Sequence, residues 1–290
     1  MNKYHLEKKN TIIRRRISGD VYNLSDKIFI FDVYCGLCNQ MLDIHLGINY
    51  CLKNNIKFTF RYAYFRKEDL VTFYNVNFED LFDKTFLNQF DLYVDINTLD
   101  LNAQNTYNYD SVLHAPYMLK HNIRYLQYIK QPYIAIRGIF TLILDTPIIV
   151  NIYPLILPAP KVMNIYNDIC ASLELNKEEY NFLHYRYEHD FVIGHQLTDI
   201  QTLGTIINKV AFKNDNKIYV ASSNIKSVLN TVNTSKILIY KNEDALKALN
   251  FEELAFIDFM IGKNSIEVYG HPRSSFSAVL NILKGTNNYY

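Results

Sequence analysis

Tryptophan is absent from this 290-residue chain, and its aromatic content is carried by 24 tyrosines and 18 phenylalanines. With many Asn, Lys and Ile residues alongside, this is a compositional bias, and no function is read from it. A strong charge of one sign is also missing. The formal net charge is only +1, which argues against a dedicated nucleic-acid binder. The basic cluster Lys8-Lys9 and Arg14-Arg15-Arg16 then reads as a solvated arm. No apolar run has the length of a membrane span. The most apolar stretch, Ile134 to Leu157, is interrupted by Arg137, Asp145, Pro147 and Pro154. It fits a pair of buried elements better than a transmembrane helix. The opening residues Met1-Asn2-Lys3-Tyr4-His5 lack the apolar segment of a signal peptide. Four cysteines without an export signal suggest reduced thiols and a cytoplasmic location. There is no internal repeat and no low-complexity segment.

What is present is a globular composition, 49% hydrophobic and 20% charged, on a chain long enough for two domains. The densest cluster of chemistry is His184-Tyr185-Arg186-Tyr187-Glu188-His189-Asp190-Phe191. The preceding Tyr180-Asn181-Phe182-Leu183 is apolar enough to enter a strand, so a strand is expected over 180–187. Alternation along it puts His184, Arg186, Glu188 and Asp190 on one face. A guanidinium flanked by acids at a strand end is costly unless something uses it. A phosphate is the natural user, because the Arg fork matches phosphate oxygens bidentately.

The rest of the chain alternates strands and helices. Strands are expected over 27–32, 57–64, 217–222, 235–240 and 265–269. Helices are expected over 39–53, 225–231, 242–261 and 274–284, with Asn242 and Glu243 opening the third. Residues 67–122 read as irregular, with short helices and a long loop. Three of only seven prolines fall in Tyr153–Pro160, which marks the linker between domains 1–155 and 156–290. Alternating strands and helices imply α/β architecture with parallel sheets, which bind ligands at the carboxyl ends of their strands.

Two more turns carry chemistry. Phe31-Asp32-Val33-Tyr34-Cys35-Gly36-Leu37-Cys38-Asn39-Gln40 is a strand-to-helix turn. Gly36 permits close backbone approach, and the helix start offers N–H groups to an anion. Read alone, it is an ordinary strand–helix turn. It also holds a Cys-x-x-Cys pair, as in thiol-disulfide oxidoreductases with an Asp-x-x-Cys-x-x-Cys start, which this stretch resembles over about 40 residues. Zinc is disfavoured, since Cys51 and Cys170 are scattered and there is no second close pair. The third turn is Glu267-Val268-Tyr269-Gly270-His271-Pro272-Arg273-Ser274-Ser275-Phe276-Ser277, preceded by Asp258. Ser274 and Ser275 suit a helix cap that also donates to phosphate. Phe276 suits stacking on a base or sugar, or else a place in the core.

Taken in order, these motifs resemble one family. Gly36-Leu37-Cys38-Asn39-Gln40 is similar to the Gly-Leu-Gly-Asn-Gln turn of the GDP-fucose-dependent fucosyltransferases. His184-x-Arg186-x-Glu188-x-Asp190 resembles the His-x-Arg-x-Glu-x-Asp motif of the protein O-fucosyltransferase branch. Asp258 with Arg273-Ser274-Ser275-Phe276-Ser277 resembles the closing acid and Ser-Ser-Phe-Ser motif. The resemblance spans residues 28 to 284 and departs at Cys38, where the family usually has Gly. Glu188 favours the O-fucosyltransferase branch over the α1,2-fucosyltransferase branch, whose motif is His-x-Arg-Arg-x-Asp.

The resemblance implies a GT-B fold, two Rossmann-like domains facing across a cleft, and an inverting transfer of fucose from GDP-fucose to a glycan or protein hydroxyl. It implies no metal, because Arg186 supplies the charge for the departing diphosphate. Gly36, Asn39, Gln40, His184 (through its backbone), Arg186, Asp258, Arg273, Ser274, Ser275 and Phe276 are the implied donor-binding residues. Asp258 would read the guanine N–H edge. Glu188 and Asp190 would orient Arg186, and Asp32 is the candidate general base. A thiol-disulfide oxidoreductase using Cys35 and Cys38, a non-catalytic nucleotide-binding protein and a transferase using another nucleotide sugar remain as alternatives.

Overall fold

The computed structural model describes residues 23–69, 71–110, 123–141, 148–175, 179–186, 191, 203–211, 216–222, 237–238 and 247–290. The basic cluster at 8–16, the expected helix 225–231, and Asn242, Glu243, Glu188, His189 and Asp190 lie outside these residues. The chain divides into two compact units. The first comprises the chain up to Tyr34, Leu42–Tyr62 and Leu87–Asn151; the second comprises Cys35–Met41, Ala63–Phe86 and Ile152–Tyr290.

The first sheet is built around β1 (Ile28–Asp32), which is followed by α1 (Leu37–Asn54) and β2 (Lys57–Arg66). Phe29, Ile30 and Phe31 are essentially inaccessible, as expected of a central strand covered on both faces. β1 pairs in parallel with β2 and with β5 (Tyr133–Arg137). The sheet order is β3-β2-β1-β5-β4, with β3 at Phe73–Asn77 and β4 at Thr106–Asp110. In α1, Met41, Ile44, Ile48 and Cys51 are fully buried, and their spacing of three, four and three makes one helical stripe. Gly47 faces the Phe31 ring, where a Cβ would sit only 3.0 Å from a ring carbon.

The second unit holds a parallel sheet of order β8-β7-β6-β9. Its strands are β6 (Tyr180–His184), β7 (Lys217–Ala221), β8 (Ile237–Leu238) and β9 (Val268–Tyr269). Its helices are α2 (Pro160–Ser172), α3 (Leu203–Ala211), α4 (Phe251–Asn264) and α5 (Ser275–Lys284). Phe182, Phe256, Phe259 and Leu280 form its inaccessible core. Gly262 of α4 lets Phe182 and Leu280 close in; a Cβ there would lie 2.8 Å from a Leu280 methyl.

The structure departs from the sequence reading in three places. Residues 67–122 contain β3 and β4, which the irregular reading overlooked. At the end of the proline-rich segment, Pro160 occupies the first turn of α2, where its missing N–H costs nothing. The long helix expected over 242–261 begins afresh at Phe251. Asn250 and Glu253 form a capping box there, with Asn250 N–H donating to Glu253 Oε2 at 2.6 Å. Finally, β6 stops at His184, so Arg186 lies beyond the strand and not on its face. Among the described residues, no helix is long and apolar enough to cross a membrane.

Candidate functional site

The carboxyl end of β6 gathers two of the three sequence motifs. Tyr185 N–H still reaches Ala221 O at 2.9 Å, and then the chain leaves the sheet. Tyr290 takes over there. Its hydroxyl donates to His184 O at 2.8 Å and accepts from Arg186 N–H at 3.4 Å. The His184 carbonyl thereby accepts one hydrogen bond inside the protein. The Arg186 guanidinium stacks over the Phe191 ring at 4.8 Å. Arg186 is half-buried, so its charge is partly shielded from water.

The β9–α5 turn packs against this strand end. Gly270 is required there, because a Cβ would lie 2.5 Å from Ser277 Cβ and closer still to its hydroxyl. That approach lets Ser277 Oγ accept from His271 N–H at 3.2 Å and contact His184 Nδ1 at 3.0 Å. The direction of the Ser277–Nδ1 bond is set by the imidazole tautomer. Burial and the nearby Arg186 and His271 charges push His184 down to about 3, so the ring is neutral.

Ser274 caps α5 by position but makes no side-chain capping bond; its hydroxyl faces His184 Nδ1 at 3.5 Å. Ser275 is half-exposed in the first turn of α5, and Arg273 is exposed. Phe276 is a correction. It packs on His184 at 4.4 Å and against Phe182 and Phe259, in the core. Its ring supports His184 and does not offer a free face to a base.

Asp258 lies on α4 and accepts from Tyr219 Oη at 2.8 Å. Burial pushes its carboxyl up to about 7, against the opposing pull of that hydrogen bond. Its carboxyl is therefore poised between charged and neutral near physiological pH.

In the Cys35–Gln40 turn the conformational demand falls on Cys35, whose φ is 77°, not on Gly36. Gly36 instead admits Arg66, whose Nη2 would lie 2.8 Å from a Cβ at this position. Gln40 is fully buried. Its amide donates to Cys35 O and Tyr64 O, both at 2.7 Å, and accepts from Tyr64 N–H at 3.1 Å. It fastens the turn to β2 and has no polar group left for a donor. Asn39 is half-exposed with its backbone N–H on Gly36 O at 2.9 Å. Cys35 and Cys38 are both free thiols. Burial pushes the Cys38 thiol far up, opposed by the Arg186 charge.

Asp32 belongs to the first unit, at the end of β1. Arg61 grips both its oxygens, at 3.0 and 2.6 Å. Burial raises its carboxyl and Arg61 draws it back, with burial the larger effect. Its neighbours along the strand ends are Arg137 and Asp110, which form an ion pair. Among the described residues, no three His, Cys, Asp or Glu side chains converge as metal ligands.

Sequence reasoning missed Tyr219, Tyr290, Arg66 and Glu252. Each is distant in sequence from the motif it serves and carries no local signature. Tyr290 had no signal at all.

The sequence matches no protein-family model and no curated protein. Solved structures do match. A crystal structure of POFUT1 in complex with GDP-fucose superposes with a TM-score of 0.64 at 10% identity, covering 92% of this chain and 98% of that one. The NodZ alpha-1,6-fucosyltransferase soaked with GDP-fucose superposes with a TM-score of 0.53 at 10% identity, covering 89% and 92%. The fucosyltransferase NodZ from Bradyrhizobium gives 0.52 at 11% identity, covering 89% and 93%. The chain shares the fold of these solved structures. It is an α/β protein of the GT-B type, and the likeness runs over nearly the whole length of both partners.

Proposed function

We propose that this chain is an inverting glycosyltransferase that moves fucose from GDP-fucose to a hydroxyl of a glycan or protein, without a metal. The observation that carries this reading is the fold shared with POFUT1 and NodZ across about nine-tenths of the chain. The three motifs support it by their order and by where their residues gather within the second unit.

The chemical problem is departure of a diphosphate as negative charge builds on its oxygens. A fixed cation aimed at that charge is the largest available contribution to rate. Arg186 is that cation. Tyr290 fixes its backbone and Phe191 supports its guanidinium. The half-exposed Ser275 and Arg273 flank the same strand end and add donors. Asp258, when ionised, accepts from the N–H edge of guanine. A neutral His184 keeps the pocket free of a competing positive charge next to Arg186. Asp32 is the candidate proton acceptor for the incoming hydroxyl, its carboxyl raised by burial against the pull of Arg61, which favours proton uptake. An oxocarbenium-like transition state makes little demand on a base, so its contribution is modest.

The test is release of GDP from GDP-fucose, with water or an added acceptor taking the sugar. The wild-type chain is expected to turn over in the presence of a chelator, and Arg186→Ala to lose about 10² or more in rate. Tight GDP-fucose binding without turnover would make this a nucleotide-binding protein. Activity that instead depends on Cys35 and Cys38, and not on Arg186, would make it an oxidoreductase.

A further inference from the structure

Arg66 ends β2 and belongs to none of the three motifs. Its side chain is only 12% exposed. Nε donates to Glu252 Oε1 at 2.7 Å, and the Arg66 backbone N–H donates to Oε2 at 2.8 Å. The guanidinium lies 4.2 Å above the Phe251 ring. Its plane is thus fixed from two sides, by Glu252 at Nε and by the Phe251 ring. Glu252 is fully buried in the first turn of α4, where the helix dipole already favours a negative charge.

A structural ion pair needs no more than this, and it engages only Nε. Among the described residues, the two Nη groups, four of the five donors of the fork, have no hydrogen-bond acceptor. They lie against Gly36, where Nη2 would be 2.8 Å from any Cβ. Two residues on, Cys38 feels the positive charge of Arg186. The turn therefore lies against one pinned guanidinium, with its outer edge unused, and in the field of a second, Arg186.

We propose that Arg66 is a second diphosphate-binding residue, presenting its Nη edge across Gly36 to the anion that Arg186 also contacts. This rests on the nucleotide-sugar reading above. A pinned fork costs no reorganisation when the anion arrives, and it can hold two phosphate oxygens at once. Gly36 is then needed so that the fork can lie against the turn, and not for its own backbone angles.

Calorimetry on the full chain with GDP, GMP and inorganic pyrophosphate tests this. Arg66→Lys keeps a cation beside Glu252 but removes the fork. The double variant Arg66→Met/Glu252→Gln removes both charges, so no buried carboxylate is left unpaired if the lysine variant folds poorly. Gly36→Ala displaces the fork without changing any charge. GDP and pyrophosphate are expected to bind about 10-fold or more weakly in all three, with GMP less affected, so that the preference for GDP over GMP collapses. An unchanged preference in folded variants overturns the proposal and leaves the donor reading standing. Arg66-dependent pyrophosphate binding without GDP binding in the wild type overturns the donor reading and leaves the anion site. Binding of neither ligand by the wild type overturns both.

Discussion

Replacing Asp258 by Asn is expected to stabilise the protein in alkaline solution while costing it its nucleotide. The Asp258 carboxyl is held at about 7 by burial, against an ordinary value of 3.8. Between those values the folded chain keeps a proton that the unfolded chain releases, so stability is fullest below 3.8 and falls as pH rises towards 7. At about 1.4 kcal/mol per pKa unit, the ionised carboxylate costs at most about 4 kcal/mol above pH 7. An Asn removes that cost but weakens the hydrogen bond from Tyr219 by about 1 kcal/mol. Urea unfolding at pH 8 is expected to show Asp258→Asn more stable by about 1–3 kcal/mol, with the gain vanishing near pH 4. Donor binding has the opposite dependence, because guanine requires the ionised form. GDP-fucose, whose diphosphate does not titrate in this range, is expected to bind about 10-fold more weakly at pH 6 than at pH 8. Asp258→Asn should bind weakly at both. Equal destabilisation of the variant at pH 8 and pH 4, or wild-type affinity independent of pH, would refute the assignment.

Three further outcomes follow from the packing and charge of the site. Gly270→Ala drives a methyl into Ser277 and should cost about 1–3 kcal/mol in denaturant unfolding, with Gly270→Ala/Ser277→Gly recovering most of it. Gln40→Leu leaves Cys35 O, Tyr64 O and Tyr64 N–H without their partner; a loss of about 2–4 kcal/mol is expected in the same assay, and an unchanged midpoint would show that the turn is not fastened by this amide. His184, held neutral at about 3 in the folded chain, contributes stability that is full above pH 6.5 and is lost as pH falls, so His184→Gln should flatten the acid limb of the stability curve measured between pH 7 and pH 4.

The parts of this fold legible in the sequence are those whose burial is continuous. The run Phe29–Asp32 and the stripe Met41, Ile44, Ile48, Cys51 are buried throughout, and the hydrophobic pattern follows directly. β3 is mostly exposed, so it carries no alternation to read. The end of β6 was overextended because Tyr185 and Tyr187 favour strands as strongly as the residues before them. What ends the strand is Tyr290, arriving from more than a hundred residues away. The site shows the same division. Arg186, Asp258 and the Ser274–Ser277 turn stand out because their residue types and order carry meaning. The roles of Gln40 and Phe276 could not be read locally, since an amide or a ring serves a ligand or a core equally well until its neighbours are known. Arg66 and Glu252 meet only through tertiary structure.

The central claim is that the second unit receives a guanine nucleotide sugar. A thermal-shift panel of GDP-fucose, GDP-mannose and UDP-sugars addresses it without knowledge of the acceptor. Stabilisation of roughly 2–4 kcal/mol by saturating GDP-fucose, with less from GDP-mannose and none from UDP-sugars, is the predicted result. A chain stabilised by UDP-sugars, or by no guanine nucleotide at all, would contradict it.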